Sequence, residues 1–557
     1  MLPAVLALRY GSFDALPEPL PLVAGPLSCL YEDGELRSVR CGEELLLLRV
    51  YAAVRDRDWG TVPAQVAVRE QTVFNEGFRI VFDTSYVRTG ENETIRFVSA
   101  GRIEGKADGS IVFEFEGEAK TTFQRNRIGF CLLHPAEWAG HPVIAEFTGG
   151  RTETAHFPGL VDPAQPVFPF TRLRALLLTT GTGERIEVRM EGDAFEMEDQ
   201  RNWTDASFKT FCTPLSLPYP IEIPVGTRIV QRITVRTLPG VHTPRPVGRT
   251  TPSRRTPSLE LHPGESARLP EIGFGHHRPH PRRDLTRPEE DHLQALAPAH
   301  LRVDVRFTGD WRKNLAYVAR YSRRWKTPLA VAIYLPADAD RQAKELKAMG
   351  WEIRQSEAEI GRWQIYPEQE VYTGQNWPTI PKETLRAIAP DAPILTGSDT
   401  DFLFFNRFEG TLPEVNGVVF QINPQVHAFD NASLMETPLA YEAVVETARF
   451  RARNLPVHIS PLTLKPRYNP YARSEKPPSI PPDPRQKSLF AAAWTVCALS
   501  ALTAAGVRSV TLFDLIGDTG LAQGDWVFPA WIPLGWLASV ATGEAFPLSA
   551  DDPRRAA

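Results

Sequence analysis

The side chain best suited to exchanging protons near neutral pH is His427, in the stretch Gln421-Ile-Asn-Pro-Gln-Val-His-Ala-Phe-Asp-Asn431. Asn423, Gln425, His427 and Asp430 fall within eight residues there. Asp430 is close enough in sequence to orient the imidazole and hold its tautomer. The competing reading is a loop whose polar side chains cap its own backbone. Further on, Lys465 and Arg467 flank Pro466. The proline stiffens that loop and holds two cations in place. They suit binding a carboxylate, or stabilising negative charge that develops on a carbonyl oxygen. The alternative is a solvated surface pair.

Other polar groups sit where apolar runs end. Asp304 and Arg306, Glu368, Asp399 with Asp401, and Asp514 with Asp518 are of this kind. A carboxylate on a buried strand is costly unless it is paired or opens to a site. For Asp304 the simplest partner is Arg302 or Arg306. A separate dense motif, Glu196-Met-Glu-Asp-Gln-Arg-Asn-Trp-Thr-Asp-Ala-Ser-Phe-Lys-Thr210, puts Trp203 among Glu198, Asp199, Arg201, Asn202, Asp205 and Lys209. Trp beside carboxylates and amides can hold a polyol by stacking and rim hydrogen bonds. Taken alone, the motif reads as a loop tied down by its own salt bridges. No His-x-His, His-Glu-x-x-His, Walker loop, G-x-G-x-x-G or G-x-S-x-G is present, so no metal, cofactor or serine-hydrolase elbow is expected.

The elements that must position these groups change character along the chain. Residues 27–237 show short alternating segments ending at Gly, Asp or Asn, with a hairpin at Lys106-Ala-Asp-Gly-Ser110. That pattern predicts a β-sandwich. Eight buried strand candidates follow, beginning near residues 268, 300, 328, 362, 392, 417, 456 and 508 and mostly separated by helical patterns. This order predicts a (β/α)8 TIM-type barrel, in which polar strand ends converge on one face. The expected division is a sandwich over 1–240, a Pro/Arg-rich linker over 241–264, a catalytic barrel over 265–545 and a tail over 546–557. Trp351–Gly361 is ambiguous, and Phe402–Pro413 is at most a short helix.

Bulk properties narrow the partners. Sixty-two basic and 67 acidic side chains give a net charge of −5, which offers no electrostatic reason to expect nucleic acid or an acidic membrane. No run nears the ~20 apolar residues that span a bilayer. The five cysteines are widely spaced, without C-x-x-C, so a reducing, cytoplasmic setting is expected. A homo-oligomer is left open.

Four segments resemble the D-apionate lactonase family: Glu198–Lys209, Ile422–Asn431, Thr463–Arg467 and Asn126–Pro135. The similarity runs from about residue 40 to residue 540. It implies hydrolysis of a five-membered sugar lactone, apionolactone, to its aldonic acid in apiose catabolism. It implies a sandwich-plus-barrel architecture like that of glycoside hydrolases, and it draws Glu198, Asn202 and Trp203 toward the site. The sequence departs from the family pattern at Phe513-Asp514 and at the acidic Gly397-Ser-Asp-Thr-Asp401.

The mechanism expected from these readings uses no metal. His427, oriented by Asp430, activates water. Lys465 or Arg467, with Asn423, stabilises the oxyanion. Asp514 or Asp304 binds hydroxyls or protonates the leaving alkoxide, and Asp399 and Gln425 add substrate contacts. Small sugar lactones or aldonates are the expected partners. Two rivals stand beside it. One is a glycoside hydrolase-like enzyme using two of Glu368, Asp399, Asp430, Glu436 and Asp514. The other is a non-catalytic carbohydrate-binding relative.

Overall fold

A computed structural model describes residues 3–90, 94–239, 259–262, 266–276, 283–368, 376–471, 480–540, 543–546 and 548–550. The chain divides into two compact units. One holds Leu16–Gln200 and Ala206–Arg255; the other holds Met1–Ala15, Arg201–Asp205 and Thr256–Ala557.

The first unit is a β-sandwich of an eight-stranded and a nine-stranded antiparallel sheet. Its strands alternate as the sequence does. Phe78–Thr89 buries Phe78, Ile80, Phe82, Thr84 and Tyr86 and turns the residues between them outward. Inward residues of both sheets form one core, in which Phe113 and Phe130 meet edge to face at 4.8 Å. The Asp-Gly turn falls where predicted. Gly109, at φ 81°, joins Thr94–Lys106 to Ser110–Ala119 in antiparallel register.

The second unit is a closed parallel barrel of eight strands: Glu271–His276, Leu301–Arg306, Leu329–Leu335, Ile360–Pro367, Ile394–Gly397, Gly417–Ile422, Val457–Leu462 and Ser509–Asp514. Leu329–Leu335 and Gly417–Ile422 are buried at every position, because helices cover the outside and neighbouring strands close the inside. Helix starts are chemically marked. Thr286 and Glu289 form a capping box before Arg287–Gln294, and the Asp338 side chain accepts the Arg341 N–H before Ala339–Ser356. Gly397 lets the fifth and sixth strands close together, since a Cβ there would sit against the Val419 carbonyl. No helix among the described residues is long and apolar enough to cross a membrane.

Several expected boundaries move. The opening residues do not join the sandwich: Pro3–Tyr10 is a helix packed on Leu489–Ala504 of the barrel unit. Residues 241–258 and 263–264 of the expected linker lie outside the described residues. Its end, Leu259–Leu261, pairs antiparallel with Leu548–Ala550 of the expected tail. The first barrel strand runs from Glu271, not Arg268, and the ambiguous Trp351 region continues helix Ala339–Ser356.

Candidate active site

Alternation along the second barrel strand points Arg302, Asp304 and Arg306 to the barrel interior. Asp399 follows the fifth strand and Arg467 the seventh, and these groups meet. Arg302 donates from Nε to Asp304 Oδ1 at 2.8 Å and from Nη2 to Asp399 Oδ1 at 2.7 Å. Arg306 Nη2 reaches Asp399 Oδ2 at 2.9 Å, and Arg467 Nη1 reaches Asp304 Oδ2 at 2.9 Å. Arg467 also pairs directly with the Asp399 carboxylate. The Tyr334 hydroxyl donates to Asp304 at 3.0 Å and also contacts Asp399. Its ring lies 3.4 Å beneath the Arg306 guanidinium.

Among the described residues three guanidiniums thus face two carboxylates, one positive charge more than negative. Burial pushes the Asp399 carboxyl up, but Arg467 and Arg302 outweigh it and hold it below the usual carboxylate range. Arg467 Nε is buried with no hydrogen-bond partner among the described residues.

A second network begins two residues along, at Asp401. Its Oδ2 accepts the Tyr471 hydroxyl at 2.6 Å, and its Oδ1 lies 3.5 Å from Asn423 Nδ2. Tyr471 in turn accepts Trp203 Nε1 at 2.6 Å. The Trp203 ring meets the His427 ring at 5.0 Å and 81°. His427 Nδ1 lies 2.6 Å from Asp205 Oδ2. A carboxylate on Nδ1 fixes the proton there and leaves Nε2 as a base, the arrangement that orients histidine in hydrolytic triads. Thr204 Oγ1 bonds the Asn423 carbonyl at 2.9 Å, and Asn406 Nδ2 bonds Asn202 Oδ1 at 3.0 Å. These bonds fix Arg201–Asp205 within the barrel unit. The two networks share the segments 399–401 and 467–471, so a proton acceptor and a cationic cluster occupy the same end of the barrel. Among the described residues no three His, Cys, Asp or Glu side chains converge to hold a metal ion.

Residues 7–239 match the family described as D-apionate lactonase, N-terminal domain, and residues 275–548 match D-apionate lactonase, TIM barrel domain. The D-apionate lactonase of Brucella anthropi is 30% identical over 548 residues, covering 93% of this chain and 86% of that protein. The chain belongs to the D-apionate lactonase family. Solved structures give weaker likenesses. A glucosidase from Croceicoccus marinus aligns at TM-score 0.35 and 11% identity, covering 53% of this chain and 73% of that one. A β-glucuronidase from Ruminococcus gnavus aligns at TM-score 0.32 and 11% identity, covering 78% and 89%. Likeness at this level bears on neither chemistry nor substrate.

Within this family member the expected site residues scatter into distinct settings. His427, Asp304, Asp399, Asn423, Arg467, Asn202 and Trp203 take part in the two networks. Asp430, expected to orient His427, has a local task as well. It is the N-cap of helix Asn431–Glu436, accepting the Ser433 N–H at 2.9 Å, and the carboxylate on His427 Nδ1 is Asp205. Gln425 ties loops together, donating to the Leu464 carbonyl and to Asp483 while accepting from Arg485. Lys465 points away from the cluster, its Nζ 3.4 Å from the Pro481 carbonyl in an exposed position, so Arg467 is the cation of that pair inside the site. Asp514 accepts the Thr519 hydroxyl at 2.5 Å. Glu198 belongs to the sandwich unit and is ion-paired with Lys209 at 2.8 Å. Asp205, Asp401, Tyr334, Arg302 and Tyr471 were not expected as site residues. For Asp205 the sequence signal was its place beside Trp203. For Arg302 it was the need of Asp304 for a partner.

Proposed function

We propose that this protein hydrolyses a sugar-derived lactone, D-apionolactone or a related aldonolactone, to the aldonic acid, and does so without a metal ion. Family membership supports the reaction class. The observation that carries the mechanism is the Asp205–His427 pair, linked through Trp203, Tyr471 and Asp401 to the barrel end that holds the Arg467 cluster. His427 Nε2 takes a proton from water as its oxygen bonds to the lactone carbonyl carbon. The carbonyl π pair moves onto oxygen, and the Arg467 guanidinium stabilises that charge. Trp203 supplies a flat wall for the sugar ring. Base catalysis contributes ~10²–10⁴-fold and an oxyanion donor ~10²–10³-fold, enough for an activated cyclic ester. The five cysteines are free thiols, which suits a cytoplasmic catabolic enzyme.

The test is lactone opening by purified protein, followed as acid release before and after dialysis against a chelator. Activity that survives dialysis and is lost in His427→Ala is expected. Activity restored only by added metal sinks the metal-free mechanism. Reducing-sugar release from glycosides without lactone opening favours a glycosidase, and aldonate binding without turnover favours a binding protein.

A further inference from the structure

We propose that Asp401 is the catalytic acid of this site, supplying the proton that the ring oxygen takes up as the lactone C–O bond breaks. The assignment rests on the lactonase reading above. Asp401 occupies the N-cap position of helix Phe402–Asn406, yet its side chain makes no capping hydrogen bond. Asp338, Asp430 and Asp483 in the same unit use their carboxylates to cap, whereas Asp310, like Asp401, does not; Asp310 pairs with Lys313 on the surface, and Asp401 is buried. The Asp401 carboxyl is instead turned toward Tyr471 and Asn423, 4% exposed, at the end of the chain that runs through Trp203 to His427.

Its electrostatic setting is opposite to that of Asp399 two residues before it. Asp399 is held ionised by arginines. Asp401 has no cationic partner among the hydrogen bonds it makes. Burial pushes it up to about 6, Asp205 adds to the rise, and Tyr471 and Asn423 offset only part of it. Among the described residues the groups acting on it are therefore the Asp205 carboxylate, the Tyr471 hydroxyl and the Asn423 amide. A carboxyl kept protonated toward neutral pH, in one network with a histidine, gives the site a proton donor and a proton acceptor.

The step balances. As the tetrahedral intermediate collapses, the oxyanion pair re-forms C=O and the ring C–O bond breaks onto oxygen. That oxygen takes the Asp401 proton. The proton held by His427 returns to Asp401 through solvent, and the new carboxylic acid ionises.

The experiment compares wild type, Asp401→Asn and Tyr471→Phe on a sugar γ-lactone, which expels an alkoxide, and on an aryl lactone, which expels a phenolate. Asp401→Asn is expected to lose ~10²-fold or more in kcat on the sugar lactone while the aryl lactone stays near the wild-type rate. In wild type kcat/KM falls above about pH 6, the limb set by the acid. Tyr471→Phe removes a bond that favours the carboxylate, so it moves that limb to higher pH with Asp401 still present. Equal losses on both lactones, or a limb unmoved in both variants, overturn the assignment. Lactone opening with full Asp401→Asn activity overturns it and leaves the lactonase reading intact. No lactone opening by wild type overturns both.

Discussion

Asp205→Asn is the sharpest test of how the base is made. The carboxylate sits 2.6 Å from His427 Nδ1, a charge-assisted distance. An amide of the same shape at that distance turns its NH2 toward Nδ1. The ring then keeps its lone pair on Nδ1 and carries its proton on Nε2, where the water proton should go. One exchange therefore removes the base while leaving the packing intact. Base catalysis is worth ~10²–10⁴-fold, so a loss near the top of that range is expected, about 4–5.5 kcal/mol in the barrier. The same exchange in Ser-His-Asp enzymes costs ~10⁴-fold for the same tautomeric reason. Asp205→Ala lets the ring choose its tautomer and should lose less than Asp205→Asn. The assay is kcat for lactone opening, with Tm as a folding control. Because the pair acts as a unit, Asp205→Asn combined with His427→Ala should be no slower than His427→Ala alone. Additive losses in the double variant, or wild-type kcat in Asp205→Asn, refute the reasoning.

Three further outcomes follow from the geometry. Arg467→Met leaves two guanidiniums against two carboxylates, so its cost in stability is that of the lost charged hydrogen bonds, about 1.5–3 kcal/mol read as a lower Tm, while kcat for lactone opening should fall ~10²-fold or more. Burial, with Arg362 and Arg508 nearby, lowers the His458 pKa from 6.5 to about 3, so the unfolded chain binds a proton across that window that the fold refuses. Stability then falls as pH drops from 6.5 toward 3, and His458→Gln should flatten the slope of Tm against pH there. Gly397→Ala places a Cβ against the Val419 carbonyl and should cost about 1–3 kcal/mol, read as a lower denaturant midpoint.

The barrel was legible because its strands are buried on both faces and read as apolar runs bounded by turn residues, as Leu329–Leu335 and Gly417–Ile422 do. The ambiguous stretch Trp351–Gly361 follows Gly350, and a glycine there resembles a helix stop. In the structure it is an interior glycine whose missing Cβ makes room for Ile388. His427 and Arg467 were legible from residue type and strand position. The partner of His427 was not, since Asp205 lies 222 residues away and no periodicity links them. Asp430 was the nearer choice, yet Asp430-Asn-Ala-Ser433 ahead of Leu434 carries its own explanation as a helix N-cap. Tyr471 and Tyr334 gave no signal, because a tyrosine hydroxyl acquires its role only from the carboxylate that faces it.

The choice between an ester-cleaving and a glycoside-cleaving site turns on the sign of the charge that develops. A glycosidase needs two carboxyls at a set separation around an oxocarbenium-like, positive transition state. Three of the five candidate carboxyls are committed elsewhere. Glu368 makes a two-pronged pair with Arg341 at 2.7 and 2.9 Å, Asp430 caps a helix, and Asp399 faces three arginines. The surplus positive charge of Arg302, Arg306 and Arg467 would raise the energy of an oxocarbenium ion beside it. The same charge lowers the energy of a carbonyl oxygen turning anionic, most of all in a site shielded from water. On this argument, neutralising Arg306, the most exposed of the three arginines, should slow lactone opening by lowering kcat and should not create glycosidase activity. A gain of reducing-sugar release in Arg306→Gln would show that the cluster was suppressing a glycosidase and that the charge argument runs the wrong way.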